Sequence, residues 1–203
     1  MSKVEQLLQV AKHRQQTRWN GFANVGDFHD GRYECDFVSP RSKVSHDVDS
    51  GIMIVLQDWA SSDYLEQVYR PYLADLGYDP DIRTNVVLHN AIQRRLGVSA
   101  SNVYITNVFP FIKHGSMDAP ISSSAYRQAS KEFLAPQVDI IQPRILICCG
   151  RPAFAGACLA YNLPEPYSLE EAIERPFKVG QTSVYAVGHP SRGTRGWEQI
   201  VLN

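Results

Sequence analysis

Four short apolar runs limit what this chain can become: GIMIVL (51–56), VYITNV (103–108), RILICC (144–149) and SVYAV (183–187). None shows the in–out alternation of a strand with one wet face. Unbroken apolar runs of this length are expected where a strand is covered on both sides. The stretches between them carry helical signals. Val4, Leu7, Leu8 and Ala11 fall on one stripe of a helix over 3–16. Ser61 or Ser62 can cap a helix running to Leu76, which Pro71 should kink or split. A further helix fits 84–96 and stops at Gly97. Another opens at Ser122–Ser124 and runs to about Ile141, interrupted near Pro136. A short helix follows from about Pro152, and Ser168 with Glu171 forms a capping box for one more. Strands alternating with helices predict an α/β fold: three α/β/α layers around a central, mainly parallel four-stranded sheet. Residues 1–50 read as an N-terminal helix and a surface-wrapping segment, and 51–203 as one structural unit.

With 20 basic and 21 acidic residues the net charge is −1. That argues against a binder held to nucleic acid by bulk positive charge, although a local basic groove remains open. The cysteines are Cys35, Cys148, Cys149 and Cys158, with no C-x-x-C pair, and two of them lie inside an apolar run. They read as buried reduced thiols, so no metal and no cofactor are expected. The first residues lack a signal-peptide core, and no run of about 18 apolar residues occurs anywhere. A soluble, cytoplasmic, monomeric protein without membrane contact is expected.

Three of the four strands then release polar residues. The first runs into Gln57, Asp58 and Trp59, the second into Asn107, and the last into His189, Pro190 and Ser191, followed by Arg192 and Arg195. Singly, each has an ordinary explanation: Asp58 a helix cap, Asn107 turn chemistry, His189 a structural histidine, the arginines exposed loop cations. Together they matter more, because the carboxyl ends of parallel strands share one crevice. A Ser-His-Asp hydrolase is disfavoured. The chain has no G-x-S-x-G elbow, and Ser191 lies on the same short turn as His189, poor geometry for the base to reach it.

With these residues in place the chain resembles the uracil-DNA glycosylase superfamily over roughly residues 50–200. The family motif G-Q-D-P-Y has its counterpart in Leu56-Gln57-Asp58-Trp59-Ala60, and H-P-S in His189-Pro190-Ser191. VYITNVFPF (103–111) is similar to the strand that carries the base-reading Asn. Leu56, Trp59 and Ala60 depart from the motif, and the cysteines of the iron–sulfur branches are missing. The resemblance is therefore to a divergent, cluster-free member. Ala60 stands where a bulky Tyr shields against the thymine methyl group. For the aromatic that stacks on the base, Trp59, Tyr64 and Tyr78 are all open.

The resemblance implies a DNA base glycosylase, hydrolysing the N-glycosidic bond of a flipped-out uracil or other deaminated or damaged base. Asp58 would hold water and stabilise the sugar cation, and a neutral His189 would stabilise the departing base. Asn107, with Gln57 and Trp59, would hold the base; its amide can donate to O4 and accept from N3–H of uracil. Pro190, Ser191, Arg192 and Arg195 would meet DNA, with the Ser191 N–H on a phosphate. No lysine is expected beside the site, Lys113 being the nearest, so the enzyme would be monofunctional. The alternative is an inactive DNA- or base-binding protein on the same scaffold.

Overall fold

The computed structural model describes residues 1–200. The chain opens with α1 (Lys3–Gln16), capped by Ser2 and Glu5 acting reciprocally, and a two-residue strand β1 (Phe22–Ala23). After a turn at Pro40–Ser42 come β2 (Ile52–Asp58), α2 (Ser62–Leu65), α3 (Pro71–Leu76) and α4 (Arg83–Ala91). Then follow β3 (Tyr104–Phe109), β4 (Ile112–Lys113), α5 (Ser123–Ala129), α6 (Ala135–Ile141) and β5 (Ile145–Cys149). The chain continues through α7 (Arg151–Ala160), α8 (Leu169–Glu174), β6 (Phe177–Val179) and β7 (Thr182–Val187).

The main sheet has the order β3-β2-β5-β7-β6, its first four strands all parallel. The four apolar runs are those four strands. Both faces of each are covered, as their composition requires. Met53, Val55, Leu146, Cys148, Val184 and Ala186 turn to one apolar cluster, and Ile54, Leu56, Ile105, Ile147, Cys149 and Val187 to the other. The fifth strand is a correction to the expected four. β6 pairs antiparallel with β7 at the sheet edge, and its three half-buried or exposed residues offer no apolar run to read.

Local signals succeed and fail for identifiable reasons. Gly97 (φ 71°) ends the helical stretch after α4 in the left-handed conformation, as expected. The 61–76 stretch is split, Pro71 opening α3 where its missing N–H costs nothing. The break expected near Pro136 instead lies one turn earlier, in a widened π-turn at Ser130–Leu134; Pro136 is accommodated in the first turn of α6. At α8 only half of the capping box forms. Ser168 Oγ accepts the Glu171 N–H at 3.1 Å, but the Glu171 carboxylate takes the Tyr167 N–H.

The segment 19–50 does more than wrap a surface. Phe22–Ala23 pairs with Ile112–Lys113, and Val25, Phe28 and Tyr33 form a third apolar cluster with Ala60, Leu65 and Leu73 beyond the strand ends. Fully buried Arg14 ties this segment to α1 through Glu34 at 2.6 Å, Asn24 Oδ1 at 2.9 Å and the carbonyls of Cys35 and Phe37. The chain is thereby delivered to Ser39 and Arg41, at the carboxyl edge of the sheet.

Candidate active site

The loops at the carboxyl ends of the parallel strands enclose a cavity of about 1000 Å³. Asp58, Asn107 and His189 all line it, from β2, β3 and the loop after β7. The register explains the convergence. Leu56 on β2 stands beside Asn107 on β3, and Asp58, two residues on, stands beside Phe109 at the end of the pairing.

Asp58 is nearly buried, its side chain 9 % exposed. Lys113 Nζ lies 2.9 Å from its Oδ2 as an ion pair, and among the described residues no well-aligned hydrogen-bond donor meets that oxygen. Burial pushes the Asp58 carboxyl up from its ordinary value, and the nearby Lys113 charge partly offsets this. Lys113 also donates to the Met117 carbonyl and lines the cavity. The expectation that no lysine stands beside the site is therefore corrected. β4 is two residues long and pairs with β1, so nothing local in the sequence shows that it returns Lys113 beneath Asp58.

Asn107 is buried, and its Oδ1 accepts a hydrogen bond from Ser39 Oγ at 2.6 Å. Ser39 Oγ accepts in turn from the Arg41 backbone N–H at 3.2 Å, which commits the hydroxyl proton to Asn107. This orders the amide: oxygen toward Ser39, with one lone pair still open, and an Nδ2 without a partner among the described residues. Ser39 was missed in the sequence. It lies 68 residues away in an irregular segment, and a lone serine carries no signal.

His189 Nδ1 is 2.7 Å from Ser191 Oγ and accepts the Ser191 backbone N–H at 3.3 Å. The imidazole does reach Ser191, against expectation, because the Pro190–Arg192 turn folds the serine back over the ring. The Ser191 backbone N–H on Nδ1 places the ring proton on Nε2, leaving an N–H to offer to a ligand. Burial, with Arg192 close by, holds the His189 pKa below its ordinary value and the ring neutral. No carboxylate among the described residues bonds to this histidine, so a triad is incomplete. Gly150 (φ 90°) gives the loop its place: a Cβ there would lie 3.3 Å from that of His189.

Gln57 and Trp59 line the cavity, as do Ala60, Tyr64 and Tyr78. The Trp59 indole is held by its N–H on the Gly77 carbonyl at 2.8 Å. Tyr64 donates to Asp79, and its ring carries Arg70 on one face, as that of Tyr78 carries Arg41. Ser191, Arg192 and Arg195 line the mouth, whereas buried Pro190 packs beneath the turn and does not. Arg195 is paired with Glu170 at 2.5 Å, while Arg192 has no acidic partner among the described residues. Among the described residues no cluster of three or more His, Cys, Asp or Glu side chains could hold a metal ion, and no helix is long and apolar enough to cross a membrane.

A shielded carboxylate, an ordered amide and a neutral imidazole donor thus face one space. Such a set can stabilise a developing cation, read a polar edge and stabilise a departing anion. The sequence model of the uracil DNA glycosylase superfamily matches residues 59–202, beginning one residue after Asp58. Among curated proteins no match is found.

Proposed function

The chain belongs to the uracil DNA glycosylase superfamily, and from that membership we propose that it is a monofunctional DNA base glycosylase acting on uracil or another deaminated or damaged base. The convergence of Asp58, Asn107 and His189 on one cavity carries this reading. A base flipped from the stack enters the cavity. The order of the amide, oxygen shared with Ser39 and Nδ2 open, suits a base offering a ring N–H beside a carbonyl. Cytosine presents the reverse pattern, and each mismatched buried group costs about 1–3 kcal/mol. As the C1′–N bond breaks, its electron pair leaves on the base, where the His189 Nε2–H stabilises it. Asp58 stabilises the cationic sugar and takes a proton from the water whose oxygen bonds to C1′.

Although Lys113 stands beside the site, hydrolysis rather than Schiff-base chemistry is expected. The Lys113 ammonium is engaged by Asp58 and by the Met117 carbonyl, so water is the available nucleophile. Arg192 and Arg195, which line the cavity, would meet the DNA backbone, while the Ser191 N–H serves His189.

The test is incubation with oligonucleotides carrying one modified base each, followed by alkaline cleavage at the abasic site. Wild type should release at least one deaminated base, and Asp58→Asn and His189→Ala should each lower the single-turnover rate at least about a hundredfold. A protein that binds modified DNA and releases no base would be the inactive binder. Rates equal to wild type in both variants would make both residues structural.

A further inference from the structure

Arg41 lines the same cavity and is 3 % exposed. Its Nη2 donates to His89 Nε2 at 2.9 Å, and its guanidinium lies 4.4 Å over the Tyr78 ring. Its Nε and Nη1 are buried and have no hydrogen-bond partner, and no carboxylate pairs with it among the described residues. His89 must be neutral to accept that bond; burial and Arg41 together push its pKa down to about 4. Arg41 itself is lowered by burial to about 10 and stays charged at neutral pH. A fold seldom keeps a buried cation without an anion unless something else supplies the negative charge.

The reaction proposed above supplies that charge at one moment only, when the glycosidic electron pair passes to the base. We infer that Arg41 is the cation awaiting the departing base, and that the substrates are bases whose charge on leaving spreads onto ring oxygens. This rests on the glycosylase reading of the site. Several features bring the charge to the part of the cavity that Asn107 lines. The Arg41 backbone is bonded to Ser39, which orders Asn107, so the guanidinium and the amide share one support. Cys149 and Leu56, from the face of the sheet that carries Asn107, line the same wall. The low dielectric there lets an uncompensated charge act at several ångströms. His89 and Tyr78 make no demand for negative charge, so the guanidinium is held without being neutralised. A backbone phosphate fits poorly, since the Arg41 side chain lines the cavity but is buried, whereas Arg192 is exposed.

The dependence on leaving group separates this role from a structural one. In Arg41→Gln the single-turnover excision of uracil should fall about tenfold to a hundredfold, and that of 5-fluorouracil, a more acidic leaving group, markedly less. The ratio of the two rates is read within one preparation, so partial misfolding does not alter it. Arg41→Lys, which keeps the charge, should recover part of the loss. Barbiturate, a planar pyrimidine anion at neutral pH, should bind wild type by calorimetry and bind Arg41→Gln at least about tenfold more weakly, with inorganic phosphate at equal concentration failing to compete. An unchanged uracil to 5-fluorouracil ratio, unchanged barbiturate affinity or effective competition by phosphate would overturn the inference. A wild type that binds barbiturate through Arg41 but excises no base would overturn the glycosylase proposal and leave the buried anion site standing.

Discussion

Asp58 and Lys113 form a pair whose members pull the same carboxyl in opposite directions. Burial raises its pKa and the ammonium lowers it, with burial the larger influence. The proposed chemistry needs the ionised form, so activity is lost as pH falls through this raised value. Lys113→Met removes the offset and leaves the burial. The acid limb of the single-turnover pH–rate profile should therefore move to higher pH, and an unmoved limb would show that Asp58 does not set it. His189 is shifted the other way, by burial and then Arg192, and stays neutral to lower pH than an ordinary imidazole. At this scale the sequence was partly readable. Asp58 and His189 stand where apolar runs give out and Asn107 next to the end of another, which marks a strand end, and strand ends of a parallel sheet meet. Lys113 and Ser39 follow no such run and reach the site only through tertiary pairing.

Gly77 shows how an element is seated to serve the cavity. It ends α3 with φ 74°, and a Cβ there would lie 1.7 Å from the Pro40 carbonyl oxygen. α3 can therefore lie against the Pro40–Ser42 turn that presents Arg41, and the Gly77 carbonyl in turn holds Trp59. Gly77→Ala meets both a left-handed backbone and a backbone clash. It should cost at least about 2 kcal/mol, from the strained conformation and overpacking combined, read as a lower urea midpoint at unchanged slope. A midpoint equal to wild type would mean that the turn can give way. The sequence announced the helices through caps and breakers, and announced the four buried strands through composition. It did not announce β6, whose three residues are individually unremarkable, nor the pairing of β1 with β4, which joins residues 22–23 to 112–113.

Across the whole molecule the charge is close to balanced, so contact with a polyanion must come from local placement. Arg192 and Arg195 both stand at the cavity mouth, yet only Arg192 is free of an acidic partner among the described residues. Arg192→Ala should weaken DNA binding for every sequence and lower the salt slope by about one ion. Arg195→Ala, removing a charge already countered by Glu170, should change the slope less. Anisotropy titrations over a salt series read both, and equal slopes in wild type and Arg192→Ala would move the DNA contact elsewhere. The sheet was legible as a whole because buried strands write their environment into composition. The part played by residues 1–50 was not, since no motif or run marks Arg14 or Arg41, and only their burial shows what each holds.

The distribution of the site along the chain has a consequence for timing. Ser39, Arg41 and Asp58 leave the ribosome early, but their companions Asn107 and Lys113 arrive only with β3 and β4. His189 follows β7, the last strand of the sheet. Domains form as units while synthesis proceeds from the amino end. On the mechanism proposed above, a nascent chain that has not yet exposed β7 holds the carboxylate without the imidazole, so it cannot yet release a base from the nucleic acids that surround it as it is made.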